Sequence, residues 1–403
     1  MAGLVHQRAS RSSRDGRLAT DVALPVLYGV AAIPLLIWVY LLAGRGGFWR
    51  VASQCAPLQL QATPRKVVVL IPARNEASLV GVAVTSLARQ TFHGFIHLIV
   101  IDDDSSDGTA DAATTAARAT GALPRLTVIR SAPLPRGWTG KLWALSQGVT
   151  AAAQLSPDYL LFTDADIYHD SDSVASLVAT AEARERDLVS HMVRLSTATP
   201  AERLLIPAFV FFFFKLYPPA WIAARQCKLA AAAGGCILVR PRALDRIGGL
   251  QAIRSRIIDD CALARAVKDC GGRIWLEPTR DTRSLRVYGS ASEIGAMISR
   301  TAFAQLGHSY LVLTATLLGL FVTYLLPVVL LVVGDPVLAC LGVAALLLMS
   351  LCYLPMVRFY DLSPLWCLCL PPVAIFYLGA VIHSAVQYAR GGGGKWKGRT
   401  QDA

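Results

Sequence analysis

Charge is what this 403-residue sequence has least of: Asp, Glu, Lys and Arg make up only 16% of it, against about 25% in an ordinary soluble domain. The shortfall is concentrated. Residues 23–43, 311–333, 337–357 and 364–388 contain no charged side chain at all. About 20 apolar residues in a helix cross a hydrocarbon core, so one span is expected before a mixed middle region and three after it. Acids are scarcer than bases, 27 against 39, and the net charge is +12. The bases flank the apolar segments: Arg8, Arg11, Arg14, Arg17, Arg45 and Arg50 at one end, Lys395, Lys397 and Arg399 at the other. That placement reads as charge facing an anionic lipid surface. A basic stripe with interleaved aromatics is missing, so no nucleic-acid partner is expected. No C-x-x-C pair occurs among the nine cysteines, and Cys340, Cys352, Cys367 and Cys369 lie in apolar segments. A zinc cage and a disulfide framework are both excluded on that pattern, and the middle region reads as reduced and cytosolic. No repeat of 20–50 residues is present, which argues against a solenoid.

The apolar segments raise two further expectations. Residues 23–43 exceed the apolar core of an ordinary signal peptide, so they read as a retained anchor. Residues 204–221 (LLIPAFVFFFFKLYPPAW) read as too short to span. They are expected to lie at the bilayer surface, with Tyr217 and Trp221 at headgroup level and Lys215 snorkelling. One span before the middle region and three after it would put both basic tails outside, against the positive-inside rule. Either the first segment or the one containing Pro371-Pro372 is therefore expected to be a re-entrant hairpin.

The middle region alternates β-branched runs with helical patterns. KVVVLIPARNE (66–76), HLIVIDDDSSDGT (97–109), RLTVIR (125–130) and YLLFTDAD (159–166) read as strands. Helical stretches follow the first and second, and GKLWALSQGVTAAAQ follows the third. Such alternation means a doubly wound, mostly parallel α/β sheet, whose ligands bind at the carboxyl ends of its strands. Residues 279–289 read as a loop.

Acids collect at those strand ends. Asp164 and Asp166, two apart after an apolar strand, suit a hard divalent cation that takes phosphate oxygens as its other ligands. His169 follows closely and reads as a surface histidine. Asp102 or Asp103 is placed to accept a base N–H, while Asp107 suits a helix cap. Gly137, Gly140 and Lys141 at a helix start suit phosphate. Asp259 and Asp260 open a helix, where one acid can cap and the other can deprotonate a hydroxyl.

The ordered series PARNE, IDDDSSDGT, GWTGK, DAD, GGCILVRPRAL and IDDCALARAVK resembles the family 2 glycosyltransferases with a GT-A (nucleotide-diphospho-sugar transferase) fold. LPRGWTGKLWA and the anchor–domain–three-helix layout are most similar to the bacterial hopanoid-associated members, and more distantly to ceramide glucosyltransferase-like enzymes. The resemblance divides the chain into a basic tail (1–22), an anchor (23–43), a linker (44–65), a cytosolic catalytic domain (66–308), a membrane domain of about three helices (309–390) and a second basic tail (391–403). It implies an inverting enzyme of the bacterial cytoplasmic membrane that moves a sugar from a UDP-linked donor to a hopanoid-like lipid, with Mg²⁺ or Mn²⁺. Pro72, Ala73, Arg74 and Glu76 would border the nucleotide, Asp103 would recognise the base and Lys141 would lie near the phosphates. Asp164 would meet the ribose or sugar, and Asp166 the metal. Gly234 and Gly235 would shape the acceptor side. Asp260 would be the base, with Asp259 beside it where relatives carry Glu. The Q/R-x-x-R-W signature of processive relatives is not found; MISRTAF offers only Arg300, as a phosphate or acceptor contact. The alternatives are a polyprenyl-phosphate sugar transferase, for which Arg240 and Arg242 are the basic candidates, and a non-catalytic nucleotide-binding partner.

Overall fold

The computed structural model describes residues 25–51 and 64–392, with the backbone of 395–396 and 399–400. The first basic tail, most of the linker and the side chains of the second basic tail lie outside the described residues.

The strands form because their β-branched residues are buried on both faces. In β1 (Lys66–Ala73) every residue after the first is buried. Val68 and Leu70 point to one face, Val67, Val69 and Ile71 to the other, as a period of two requires. β2 (Phe95–Asp102), β3 (Leu126–Arg130) and β4 (Tyr159–Thr163) complete the predicted parallel half. Four more strands extend the sheet: β5 (Ile167–His169), β6 (Leu188–Arg194), β7 (Cys236–Val239) and β8 (Ile274–Ser284). The order is β3-β2-β1-β4-β7-β6-β8-β5. β7 runs antiparallel to β4 and β6, and β5 antiparallel to β8, while β6 and β8 are parallel. This mixed sheet fits the expected GT-A fold. Helices α2 (Ala77–Ala88), α3 (Thr109–Ala119) and α5 (Ser173–Ala183) cover one face. α4 (Gly140–Ala153), α6 (Pro200–Leu216) and α9 (Asp259–Asp269) cover the other. The short α7 (Pro219–Ala223) follows α6, and α8 (Pro241–Arg246) follows β7.

β8 corrects the first half of the loop expected at 279–289: residues 279–284 continue a strand, while 285–289 have no regular structure. Thr279 and Thr282 are fully buried, while Arg280 and Arg283 point outward to Asp361 and Asp170. Arg280 and Arg283 form the solvent side of this strand.

Among the described residues, five helices are long and apolar enough to cross a membrane: Pro25–Ala43 (α1), Pro200–Ala223, Tyr310–Val332, Pro336–Phe359 and Pro364–Ala389. Four coincide with the expected segments. Neither expected hairpin folds back. α1 is continuous, and Pro371 and Pro372 sit in the first turn of α14 (Leu370–Ala389), where the missing N–H groups cost no helical bond.

Pro200–Ala223 is longer than the apolar run because a capping box starts it earlier. Thr199 accepts from Glu202 N, and the Glu202 carboxylate accepts from Thr199 N. It nonetheless does not carry the chain across a bilayer. β6 precedes it and β7 follows it, and these strands pair. Ala223 also returns to the start of β6, accepting from Arg186 Nη1 at 3.2 Å. α6 thus lies flat between the sheet and the C-terminal helices. Phe211 packs 5.0 Å from Tyr353 and Phe212 4.8 Å from Tyr377. The interfacial expectation is corrected accordingly. Lys215 does not snorkel outward but donates to the Tyr324 hydroxyl at 2.8 Å, and Trp221 stacks under the Arg45 guanidinium.

The helix Tyr310–Val332 comprises α11 (Tyr310–Leu320), a π-turn at Phe321–Leu325 and α12 (Leu326–Val332). α10 (Ala291–Gln305) precedes it and α13 (Pro336–Phe359) follows. Pro327 has no N–H, so the carbonyl four residues earlier loses its helical donor. That carbonyl is Thr323 O, and the buried Trp38 indole of α1 donates to it at 3.0 Å. One side chain thereby ties the N-terminal helix to the C-terminal ones. Trp38→Phe keeps the ring but orphans the carbonyl. It is expected to cost about 1–3 kcal/mol, read as a lower unfolding temperature in detergent, and an unchanged temperature would remove this bond from the account.

Candidate active site

The carboxyl ends of β1, β2 and β4 meet the N-termini of α4 and α9. At β1, Pro72 lines a small cleft with Lys141, Asp164, Gly234, Asp259 and Asp260, and Ala73 O accepts from Asp103 N at 2.8 Å. Arg74 donates to Asp103 O at 2.5 Å, and its guanidinium is 3.8 Å from the Asp103 carboxylate. Asp103 is almost fully buried. Asp102 caps a turn through Ser105 N. Asp107 accepts from Ala77 N and Thr109 N, while the residue at the N-cap of α3 is Gly108 rather than the expected Asp107.

Lys141 enters from the first turn of α4. Gly137, with φ +77°, permits the turn before it. Thr139 N donates to Arg254 O at 2.9 Å, tying this loop to the one that precedes α9. The Lys141 ammonium lies 2.7 Å from Asp164 and 3.8 Å from Asp259, so it bridges two acid clusters. Burial alone would lower its pKa, but Asp164 and Asp259 outweigh that and hold it above the ordinary lysine range.

Asp164 and Asp166 occupy a turn between β4 and β5, not the extended strand end that was expected. Their partners differ. Asp164 faces Lys141, whereas Asp166 accepts from Arg286 Nε at 2.7 Å. Arg286 Nη2 reaches Glu76 Oε1 at 2.6 Å, so the Glu76 carboxylate is already engaged. Burial, then the charge of Asp164, raises the Asp166 pKa against the pull of Arg286. His169 behind this turn is buried rather than on the surface as expected, held by Thr163 Oγ1 at 2.9 Å and Ser173 Oγ at 3.3 Å. Burial pushes its pKa down to about 3, so the ring is neutral.

Asp260 is held from two sides. Gly234 N donates to Oδ2 at 2.8 Å and Cys261 N to Oδ1 at 2.7 Å. A Cβ on Gly234 would stand 3.3 Å from that carboxylate and 3.4 Å from Lys141 Nζ. The neighbouring Gly235 O accepts from Thr163 Oγ1. The sequence argument expected the α9 dipole to lower the Asp260 pKa. Instead burial, followed by the like charge of Asp259, pushes it up to about 6. The group is still mostly ionised at neutral pH.

Arg300 is exposed on α10, near the Tyr288 phenol. Arg240 and Arg242 are engaged away from the cleft, Arg240 with Glu182 at 3.2 Å and Arg242 with Asp187 at 3.9 Å. Arg286 is the residue that sequence reasoning missed. The available signal was three arginines between 280 and 286 in a chain whose acid clusters needed cations.

Residues 68–248 match Glycosyl transferase family 2. The match covers the stretch from β1 past α8, including every candidate from Pro72 to Gly235. It stops short of Asp259, Asp260, Arg286 and Arg300. The mannosyltransferase PcManGT from Pyrobaculum calidifontis, solved with GDP-Man and Mn²⁺, is 18% identical. The alignment covers 91% of this chain and 98% of that one with a TM-score of 0.53, which shows a shared fold. TarS of S. aureus is 15% identical over 59% of this chain and 40% of its own, with a TM-score of 0.40. Glucosyl-3-phosphoglycerate synthase of Mycobacterium tuberculosis is 20% identical over 60% and 79%, with a TM-score of 0.39. At those scores neither bears on the reading below. No curated protein sequence matches the chain.

Lys141→Met removes the cation that lowers the Asp260 pKa. Because the folded pKa of Asp260 already lies above its unfolded value, ionising it costs stability as pH rises through about 6. The variant enlarges that cost. Its loss of thermal stability relative to wild type is therefore expected to be greater at pH 8 than at pH 5. An equal deficit at both would remove Lys141 as the counter-ion.

Proposed function

We propose that the chain is a membrane-bound, inverting glycosyltransferase that moves a sugar from a nucleoside diphosphate donor to a lipid hydroxyl. The family 2 match over 68–248 supports the transferase class. The observation that carries the reading is the pairing, across one cleft, of the Asp164–Asp166 turn with the doubly held carboxylate of Asp260.

On this reading Pro72, Ala73, Arg74 and Glu76 border the nucleotide and Asp103 accepts an N–H from the base, with uracil favoured. Lys141 lies beside the diphosphate and Asp164 beside the sugar. Among the described residues no three His, Cys, Asp or Glu side chains form a metal cage. Asp166, with Asp164 nearby, instead offers hard oxygen donors of the kind that hold Mg²⁺ or Mn²⁺ when a diphosphate supplies further ligands. Such an ion would neutralise charge on the leaving diphosphate.

Asp260 takes the proton from the acceptor hydroxyl as that oxygen attacks the anomeric carbon from the face opposite the diphosphate. One displacement inverts the centre. A carboxylate with a pKa near 6 is a better proton acceptor than an ordinary one and remains ionised at pH 7. The Gly234 and Cys261 N–H groups orient it.

A lipid acceptor is supported by the end of α6. Tyr217, which caps that helix, accepts from Gln305 of α10, and its electrostatic neighbours include Cys261 and Asp260. An apolar helix packed against the C-terminal helices thus ends beside the base. A hopanoid-like lipid is the favoured acceptor, from the resemblance of the GWTGK segment and the overall layout. The bacterial cytoplasmic membrane, with the sheet domain on the cytosolic side where nucleotide sugars are found, is the proposed location. Residues 66–308 form the catalytic unit and 309–390 the membrane unit. The engagement of Arg240 and Arg242 elsewhere disfavours a polyprenyl phosphate acceptor.

Asp260→Asn keeps the shape but cannot take the proton. Turnover is expected to fall by about 10²–10⁴-fold with UDP affinity nearly intact, while Asp259→Asn costs much less. Wild-type transfer should lose activity as pH drops through about 6. An active Asp260→Asn variant beside an inactive Asp259→Asn would move the base to Asp259.

A further inference from the structure

The Arg286 guanidinium stands where a cation is needed. It binds Asp166 at 2.7 Å with one nitrogen and Glu76 at 2.6 Å with another. Two carboxylates that follow the neighbouring strands β1 and β4 therefore share one positive charge. The backbone carrying it is fixed on both flanks. Leu285 N donates to Asp166 O at 2.7 Å, Tyr288 N donates to Glu202 Oε1 at 2.6 Å, and Tyr288 O accepts from Thr199 Oγ1 at 3.0 Å. Glu202 and Thr199 are the capping box of α6. Only the side chain of Arg286 is left to move, and it is partly exposed.

We infer that Arg286 is a latch on the metal position. It holds Asp166 closed against a bare divalent ion and releases it when the ion arrives with a nucleoside diphosphate. The inference rests on the reading proposed above for Asp166. The chemistry is an exchange of cations. A metal ion alone must displace a guanidinium that makes two charge-assisted bonds, and it gains few ligands here. A metal bound to a diphosphate brings its own oxygens, and it offers the displaced guanidinium a new anion within reach of the same backbone position. Release and recapture are thus coupled. Empty donor sites stay free of metal, and Arg286 becomes a diphosphate contact once the donor is present.

The test uses the full chain in detergent and the electron paramagnetic resonance signal of free Mn²⁺, with and without UDP. Arg286→Gln is expected to bind Mn²⁺ alone about tenfold more tightly than wild type, because one opposing charge is gone. It is expected to bind UDP in the presence of Mn²⁺ about tenfold more weakly, because the recaptured contact is lost. If Arg286→Gln does not fold, Arg286→Lys carries the test. Lysine has a single nitrogen and cannot hold both acids as the fork does, so both affinities should shift the same way by smaller factors. Unchanged or weaker Mn²⁺ binding without nucleotide would overturn the latch, and so would undiminished UDP binding with Mn²⁺. If wild type binds neither UDP nor GDP, the proposed function fails, while the nucleotide-free Mn²⁺ titration still reads the latch.

Discussion

Carboxylates brought together without enough cations cost free energy in proportion to their burial. The rest of the site is arranged around that constraint. Asp103, Asp164, Asp166, Asp259, Asp260 and Glu76 gather at the ends of three central strands and one helix. Lys141, Arg74 and Arg286 meet them. The compensation is partial. Lys141 serves Asp164 and Asp259 together, and Arg286 serves Asp166 and Glu76 together. Asp260 receives two backbone N–H bonds instead of a dedicated cation, and its pKa rises to about 6. A cleft with more acids than bases suits positive charge from outside, which on the proposed reading a divalent ion carried with a diphosphate would supply.

The same economy links the site to the apolar helices. α6 begins at a capping box whose Glu202 also holds the backbone beside Arg286, and it ends at Tyr217, near Asp260. One helix therefore runs from the backbone beside Arg286 towards Asp260. Its middle packs against Tyr324, Tyr353 and Tyr377 of the C-terminal helices. Trp38 fixes α1 to the same layer through the carbonyl freed by Pro327.

Much of this was legible in the residues, for physical reasons that differ by element. β1 and most of β2 are apolar and rich in β-branched residues because a central parallel strand is buried on both faces, β4 is a wholly buried apolar run, and β3, at the sheet edge, showed itself by a short apolar stretch. Four of the five apolar helices were readable from length and absent charge alone. The segment from Thr279 to Ser284 was not readable, since a strand with outward arginines looks like a loop until Thr279 and Thr282 are seen to be buried. His169 was misplaced for a related reason: its burial depends on Ser173 and Thr163, whose side chains turn towards it only in the folded sheet. α6 was read as surface-lying because its aromatic partners are more than a hundred residues away in sequence. The raised pKa of Asp260 was hidden because position at a helix start is a local feature, while burial and the Asp259 charge belong to the assembled cleft.

The central claim is that these acids exist to receive a metal-bound nucleotide sugar. Its most direct measurement is release of nucleoside diphosphate when the purified chain, in a lipid extract of bacterial membranes, is given UDP-sugars and GDP-sugars with Mn²⁺ or Mg²⁺, and again after chelation. The account predicts release from at least one donor, abolished by the chelator and accompanied by a glycosylated lipid in the extract. Absence of release from every donor, or release that persists undiminished after chelation, would contradict it.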